Sequence, residues 1–189
     1  MKKVKFYKII RPIVIIFTRV FLRPKYEGLE NIPKEKRIVL AGNHIHPFDC
    51  LVLIWSTKRN IHFLAKDELW KGPKKVIFSN LELIPVNRRK KDKYALKKVE
   101  EYLQDEEVIG IFPEGTTEKG RGLLPFKMGA VKMAKDTDTK IIPFAITGSY
   151  KPFKKIHITF GKSITIKSDN LEHENNNLRN IVEKMIKER

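Results

Sequence analysis

Residues 38–49 decide the fold, and they read IVLAGNHIHPFD. The apolar run at residues 38–41 stops abruptly at a polar cluster, which is typical of a buried strand that ends at a site. Pro47 suits the first position of a helix, so the pattern predicts His46 as the N-cap and Asp49 near the third helical position.

A chain that turns from strand to helix here can bring the side chains of His44 and Asp49 together. The Asp49 carboxylate can hold one nitrogen of the His44 ring so that the other nitrogen faces a substrate proton. The pair therefore predicts a general base and the group that orients it.

Composition limits the class of protein and its partners. A chain of 189 residues is long enough for one domain with a substantial core. Its 39 basic against 22 acidic residues give a net charge of +17, which favours an anionic partner: nucleic acid, an anionic membrane surface, a phosphorylated substrate or an acidic protein.

The single cysteine, Cys50, excludes an internal disulfide and fits a reducing, cytosolic setting. No metal site is expected, since the sequence has no CxxC motif and no Cys/His cluster.

The chain is expected to have no transmembrane helix and no cleaved leader. Its longest uncharged run, residues 38–48, is shorter than the roughly 18 to 20 apolar residues that span a bilayer. The N-terminus is basic and then apolar, but Arg11 and Arg19 interrupt the apolar part and no small-residue cleavage site follows. We therefore expect this segment to be retained.

Residues 1–22 have the period of a basic amphipathic helix, with Pro12 expected to kink or divide it. One hypothesis packs its apolar stripe onto the domain core, and the other, which we favour, places it in a membrane interface. The membrane-binding residues predicted by the second hypothesis are Lys5, Lys8, Arg11, Ile13, Ile16, Phe17 and Arg19.

After a predicted linker at 23–36, short apolar strands alternate with helices. Strands are predicted at 38–41, 61–65, 83–86, 108–112, 141–146 and 156–160, and helices at 48–56, 92–104, 126–134 and 178–187. The alternation predicts a single α/β domain at 37–189, with a mixed, mostly parallel central sheet flanked by helices. The helical segment and linker at 1–36 would precede it.

Two further predicted strands end in polar motifs. Residues 83–86 lead into Asn87 and Arg88, and residues 108–112 lead into PEGT at 113–116. Because the carboxyl ends of parallel strands meet at one edge, both motifs should lie near His44. Arg88 offers a planar fork of donors suited to phosphate, while Gly115 allows close backbone approach and Thr116 supplies a hydroxyl.

These motifs resemble those of the glycerolipid acyltransferases, the family of bacterial 1-acylglycerol-3-phosphate acyltransferases. His44 and Asp49 resemble its HX4D motif, and IPVNR at 84–88 and FPEGT at 112–116 resemble its second and third motifs. The stretch at 121–130 and IIPF at 141–144 resemble the sequence that follows, so the resemblance covers residues 37–148. Thr117 stands where family members often carry arginine.

The resemblance implies transfer of a fatty acyl group from a thioester to 1-acylglycerol 3-phosphate, giving phosphatidic acid, with neither metal, cofactor nor covalent acyl-enzyme. It implies His44 as base and Asp49 as its orienting carboxylate. Implied residues for the glycerol phosphate are Arg88, Glu114, Gly115, Thr116, Arg121 and Lys127. Glu114 would repel phosphate, so it is expected to hold Arg88 or a glycerol hydroxyl.

Expected partners are an anionic membrane surface, lysophosphatidic acid, and acyl-CoA or acyl carrier protein. The predicted location is the cytoplasmic face of the membrane, with peripheral attachment.

Several alternatives stay open at this point. The net charge also suits a nucleic-acid-binding module, but no basic-aromatic recognition motif is present, and no nucleic-acid partner is expected. A lipid hydrolase would need a nucleophile elbow, and the sequence has no GxSxG. Cys50 near a helix N-terminus could act as a nucleophile, although its apolar neighbours favour a buried structural side chain. Within the family, glycerol 3-phosphate or another lysophospholipid could be the acceptor.

Overall fold

A seven-stranded sheet forms the centre of the computed structural model, which describes residues 11–70, 83–87, 92–117, 122–151 and 154–189. The strands run in the order β1-β7-β6-β2-β5-β3-β4, and only the β6–β7 pair is antiparallel among them. Their bounds are β1 Lys25–Glu27, β2 Ile38–Gly42, β3 Ile61–Lys66, β4 Ile84–Val86, β5 Val108–Ile111, β6 Lys140–Gly148 and β7 Ile156–Phe160. The predicted α/β class with a mixed, mostly parallel sheet is confirmed.

Helices cover both faces of the sheet. They are α1 Asp49–Ile54, α2 Lys93–Gln104, α3 Gly129–Asp136 and α4 Leu171–Lys187. Alternate residues of β2 point to opposite faces. Ile38 and Leu40 pack in the same cluster as Val52 and Leu53 of α1. On the other face, the core that contains Val39 and Ala41 also contains residues of α2, α3 and α4, namely Val99, Leu103, Ala130, Val131, Leu178 and Val182.

Capping explains where two of these helices begin. Asp92 caps α2 by accepting a hydrogen bond from the Ala95 amide at 3.0 Å, as the predicted helix at 92–104 requires. Asn170 caps α4 by accepting one from the His173 amide at 3.0 Å. The helix therefore starts seven residues before the predicted residue 178, because a capping side chain outweighs the polar composition of its first two turns.

Two helix starts lie later than predicted. α3 begins at Gly129 instead of residue 126, since residues 122–127 form an extended loop. α1 begins at Asp49 with Phe48 as its N-cap, so the predicted N-cap at His46 is wrong by two residues. The reason is local: the Asp49 carboxylate binds the amides of residues 45 and 46 and holds them in a turn before the helix.

The stretch at 23–36, predicted as a linker, contributes a strand to the sheet, Lys25–Glu27. β1 pairs in parallel with β7, and Ile32 is buried in the core. Gly28 has a φ of 72°, and a Cβ there would lie 2.1 Å from the Phe160 carbonyl oxygen, so only glycine fits this turn. The predicted domain boundary at residue 36 therefore falls inside the folded unit.

The described part of the N-terminal segment is helical. Residues 11–17 are α-helical and Thr18–Leu22 form a π-helix. The Arg11 guanidinium donates to the carbonyls of Thr57 and Lys58, which attaches the segment to the loop after α1. Arg11, predicted to face a membrane, is thus engaged with the domain, while Arg19 is exposed. Lys5 and Lys8 lie outside the described residues.

In the described part of this segment, the apolar stripe does not pack onto the core. Its side chains are exposed in the structure, with Ile16 at 63% and Phe21 at 70%; the others are Ile13, Phe17 and Val20. Among the residues that the structure describes, no helix is both long enough and apolar enough to cross a bilayer.

The close packing of β5 predicts opposite effects for two glycine substitutions. A Cβ at Gly110 would lie 2.4 Å from the buried Phe63 ring, so Gly110→Ala should lower the free energy of unfolding by about 1–3 kcal/mol. Gly129, the first residue of α3, is the matched control. Its added Cβ would meet only the Ile111 side chain at 3.5 Å, so Gly129→Ala should be neutral or stabilising by roughly 0.4–1 kcal/mol. Urea unfolding of both variants measures the two free energies of unfolding. Equal values would contradict the close contact between Gly110 and the Phe63 ring.

Candidate active site

The site lies at the carboxyl edge of the sheet. β2, β5 and β6 are adjacent and parallel, and their ends lead into His44, Glu114 and Tyr150. The predicted convergence of strand ends is confirmed for β2 and β5. β4 also runs in this direction, but it is separated from β2 by two strands, and Arg88 beyond it lies outside the described residues.

His44 and Asp49 form the pair that their spacing predicts. The distance from His44 Nδ1 to Asp49 Oδ2 is 2.8 Å. An ionised carboxylate can only accept hydrogen bonds, so Nδ1 carries the proton and Nε2 keeps a free lone pair in the neutral ring. The His44 side chain is 17% exposed and that of Asp49 is fully buried. The arrangement is that of a general base held by a carboxylate.

The Asp49 carboxylate is satisfied on both oxygens. Oδ2 also accepts from the amides of Ile45 at 2.6 Å and His46 at 2.9 Å. Oδ1 accepts from the Tyr150 hydroxyl at 2.6 Å. With the His44 ring this makes four hydrogen bonds, which offset the cost of burying the charge.

Tyr150 is the residue that sequence reasoning missed. It follows the end of β6 and lies 101 positions after Asp49 in sequence, with no motif of its own to mark it. Its ring stacks on His46 with a centroid distance of 4.3 Å. Burial, and then the nearby Asp49 charge, hold the pKa of Tyr150 far above its ordinary value. Tyr150 therefore stays a hydrogen-bond donor to the carboxylate at neutral pH.

The His44 ring is held on a second side by packing. It stacks on Phe112 at a centroid distance of 4.0 Å and an interplanar angle of 17°. Its backbone amide donates to Glu114 Oε1 at 2.7 Å. The position and tilt of the imidazole are thus fixed by Phe112 and Glu114, which follow β5, and by Asp49 on α1.

Glu114 connects two loops of the site. Its Oε1 binds the His44 amide, and its Oε2 accepts from the Leu124 amide at 3.1 Å. The prediction that Glu114 holds Arg88 or a glycerol hydroxyl stays untested, because Arg88 is outside the described residues. What the structure adds is a positioning role for this carboxylate.

Asn43 ties the end of β2 to β6. Its side-chain amide donates to the Ile146 carbonyl and accepts from the Ile146 amide, each at 2.7 Å. Asn43 is buried, so both groups depend on this reciprocal pair. The residue before the base is therefore locked to the neighbouring strand.

The remaining predicted residues have separate positions. Gly115 adopts a φ of 71°, which a glycine accommodates without strain, and Thr116 beside it is partly buried. The side chain of Lys127 is exposed, while its amide donates to the Pro113 carbonyl at 3.0 Å. Arg121 lies outside the described residues. Phosphate binding by all of these residues remains a prediction.

Cys50 is poorly suited to nucleophilic catalysis. Burial, and then the negative charge of Asp49, raise its pKa to about 12. A thiol with this pKa is almost fully protonated at neutral pH, and the thiolate is the nucleophile. The structural interpretation of Cys50 is therefore favoured.

A cavity of about 340 Å³ opens beside His44. Its walls come from the β2 and β5 loops on one side and from the last turns of α4 on the other; they include His44, Glu114, Leu123, Gly148, Ile186 and Lys187. This volume can hold a small polar group such as glycerol phosphate. Within the described ranges, no group of three or more His, Cys, Asp or Glu side chains is arranged to hold a metal ion.

Comparison with known proteins agrees with this geometry. A family model described as "Acyltransferase" matches residues 23–147. The 1-acyl-sn-glycerol-3-phosphate acyltransferase of Borreliella burgdorferi is 34% identical over an alignment of 170 residues that covers 84% of this chain and 68% of that protein. The enzyme of the same name from Bacillus subtilis is 32% identical over 128 residues, covering 66% of this chain and 62% of that protein.

A solved structure shares the fold. The crystal structure of the 1-acyl-sn-glycerophosphate (LPA) acyltransferase PlsC from Thermotoga maritima superposes with a TM-score of 0.78 at 25% identity, covering 96% of this chain and 78% of that one. The fold and these matches define the class of protein, an O-acyltransferase. The chain belongs to the acyltransferase family, and the resemblance seen in its motifs is confirmed.

The Tyr150–Asp49 contact predicts a pH dependence of stability. The pKa of Tyr150 is raised above its ordinary value of 10.0, so the unfolded chain ionises first as pH rises, and stability is lost above about pH 10. Tyr150→Phe should lower the free energy of unfolding at pH 7 by about 1.5–3 kcal/mol, because a buried charged acceptor loses a donor.

The same variant should lose less stability than the wild type between pH 9 and 11, as measured by urea unfolding at each pH. Tyr94→Phe, at an exposed position on α2, is the control and should follow the wild type. If the free energy of unfolding of Tyr150→Phe fell with pH as steeply as that of the wild type, Tyr150 would ionise equally in the folded and unfolded states, and the prediction would be wrong.

Proposed function

We propose that this chain transfers a fatty acyl group from acyl-CoA or acyl-acyl carrier protein to the sn-2 hydroxyl of 1-acyl-sn-glycerol 3-phosphate, making phosphatidic acid. The observation that carries the proposal is the 2.8 Å hydrogen bond between His44 Nδ1 and the buried Asp49 carboxylate, beside an open cavity. The names of the matched relatives support the acceptor and the reaction type.

The chemistry is direct transfer assisted by a general base. The acceptor hydroxyl oxygen attacks the thioester carbonyl carbon while His44 Nε2 takes the hydroxyl proton. Asp49 stabilises the imidazolium that forms and keeps Nε2 pointed at the reacting oxygen. When the tetrahedral intermediate collapses, the C–S bond breaks and the imidazolium returns its proton to the thiolate. No covalent acyl-enzyme is needed, and the raised pKa of Cys50 is consistent with this.

The cavity beside His44 is the proposed place for the glycerol phosphate. Its wall on α4 includes Lys187, whose ammonium lies 3.4 Å from the Glu183 carboxylate and is proposed to bind the phosphate when substrate is present. On the loop side, the backbone at Gly115 and the hydroxyl of Thr116 follow directly after Glu114, and Arg88 and Arg121 are proposed to complete the phosphate site. Glycerol 3-phosphate and other lysophospholipids share the same polar end and are the alternative acceptors.

Removing the base tests the mechanism. His44→Ala should lower turnover at least roughly a hundredfold, because proton transfer from the hydroxyl loses its acceptor. The assay follows phosphatidic acid formed from 1-acylglycerol 3-phosphate with acyl-CoA and, separately, with acyl carrier protein as donor. His173→Ala is the control, since His173 is an exposed histidine in the first turn of α4 and does not line the cavity beside His44. Near-wild-type turnover by His44→Ala would refute the mechanism.

We further propose that the N-terminal segment binds the protein peripherally to the cytoplasmic face of an anionic membrane. The exposed stripe of Ile13, Ile16, Phe17, Val20 and Phe21 supports this, since no described part of the domain covers it. The sequence of residues 1–22 has six basic residues, which are Lys2, Lys3, Lys5, Lys8, Arg11 and Arg19. Because Arg11 is engaged with carbonyls of the domain, the electrostatic contribution of these residues to membrane binding should fall by about 1 kcal/mol. Apolar burial should therefore dominate binding.

A flotation assay with anionic vesicles distinguishes the two contributions. High salt should release the wild-type protein only in part, because burial of a large apolar side chain contributes roughly 1.5–3 kcal/mol and is not screened. Phe17→Ser should weaken flotation in high salt, whereas Leu96→Ser, at an exposed apolar position on α2, should not. Complete release of the wild type by salt would contradict the proposal.

A further inference from the structure

The loop that borders the His44 cavity is held by α4. Arg179 on this helix donates to the Leu123 carbonyl at 2.7 Å through Nη2 and to the Leu124 carbonyl at 3.3 Å through Nε. Four residues earlier, Asn175 donates to the Phe126 carbonyl at 2.7 Å. Three carbonyls of one irregular loop are thus bound by two side chains of a single helix.

The same loop is also bound by Glu114, which lies in the loop after β5. The Leu124 amide donates to Glu114 Oε2, and Glu114 Oε1 accepts from the His44 amide. Leu124 is therefore fixed at both of its backbone polar groups, by Arg179 at the carbonyl and by Glu114 at the amide. A continuous series of hydrogen bonds joins α4 to the backbone of the base.

α4 provides a rigid base for these contacts. Leu178 and Val182, on either side of Arg179, are completely buried against the sheet. Residues of the last turns of the helix, Glu183, Ile186 and Lys187, line the cavity itself. The helix lies beyond residues 23–147, to which the family model matches, so the family motifs do not include it.

We propose that Arg179 is a positioning residue for acyl transfer. It fixes the carbonyls of Leu123 and Leu124. In this way it holds Leu123 in the cavity wall and the Leu124 amide against Glu114, and it does not touch the reacting atoms. The role rests on the proposed function. Arginine suits it because its planar guanidinium can bind two carbonyls at once, whereas a lysine ammonium on a flexible stem binds as a point charge.

Substitution of Arg179 should affect substrate binding more than chemistry. His44 keeps its bonds to Asp49 and to Glu114 Oε1, while the cavity wall loosens. Arg179→Ala should therefore raise KM for 1-acylglycerol 3-phosphate by about tenfold with kcat within about threefold of wild type, and Arg179→Lys should be intermediate. Lys184→Ala is the control. It removes an equal charge from an exposed position, where the Lys184 ammonium lies 3.7 Å from Glu188 on the same helix, and its kinetics should match the wild type.

Amide hydrogen exchange provides a readout that does not depend on activity. In Arg179→Ala the Leu124 amide should exchange about tenfold faster, because its peptide loses the contact at the carbonyl. Amides of α2 and of the buried part of α4 should keep their wild-type rates. This local pattern is what a positioning role produces.

Two results would overturn the proposal. The first is an unchanged exchange rate at Leu124 in Arg179→Ala. The second is faster exchange throughout α4 and the sheet with kcat and stability falling together, which would mean that Arg179 only stabilises the fold. If the wild type fails to acylate 1-acylglycerol 3-phosphate with either donor, the proposed function fails, and the exchange measurement still decides whether Arg179 fixes the loop.

Discussion

The buried carboxylate of Asp49 is the constraint on which the rest of the site depends. A carboxylate excluded from water is stable only if its charge is matched by donors. Here the donors come from two parts of the chain: residues 44–46, through the His44 ring and the amides of residues 45 and 46, and the Tyr150 hydroxyl after β6. Satisfying one charge therefore determines the turn after β2, the start of α1 and the position of the chain leaving β6.

The groups around this carboxylate are fixed before any substrate arrives. Asn43 locks the end of β2 to β6 through two hydrogen bonds, and Glu114 joins the His44 amide to the loop at Leu124. Each side chain binds backbone groups of a different element, so displacing one strand end would break contacts at the others. This is the support that a general base needs if its free nitrogen is to stay aimed at one point in the cavity.

Local patterns in the sequence were enough to predict most elements and the central pair. Continuous apolar runs marked β2, β5 and β6, because strands buried on both faces have such sequences. Apolar residues interrupted by polar ones marked β3 and β7. The five-residue spacing of His44 and Asp49 predicted their contact, since both lie on one strand-to-helix turn. The sequence failed where long-range contacts decide the structure. β1 is short and polar and becomes a strand only by pairing with β7, 132 positions later in register.

Long-range contacts also account for most of the other missed features. Tyr150 becomes part of the site because β6 lies beside β2, and no local pattern marks the hydroxyl as a partner of Asp49. The first turns of α4 are polar, and they are helical because Asn170 caps them and Asn175 binds the Phe126 carbonyl. The Asn170 cap is a local contact to His173, whereas the partners of Tyr150 and Asn175 lie far away in the sequence.

The most direct test of this account is the turnover of Asp49→Asn. Asparagine keeps the size of the side chain and one accepting oxygen, but it removes the charge that stabilises the imidazolium and sets the tautomer of His44. We expect kcat to fall by roughly 10³–10⁴ while the protein remains folded, as judged by urea unfolding. A folded Asp49→Asn protein with kcat within about tenfold of wild type would contradict the account, because the buried charge would then be dispensable for acyl transfer.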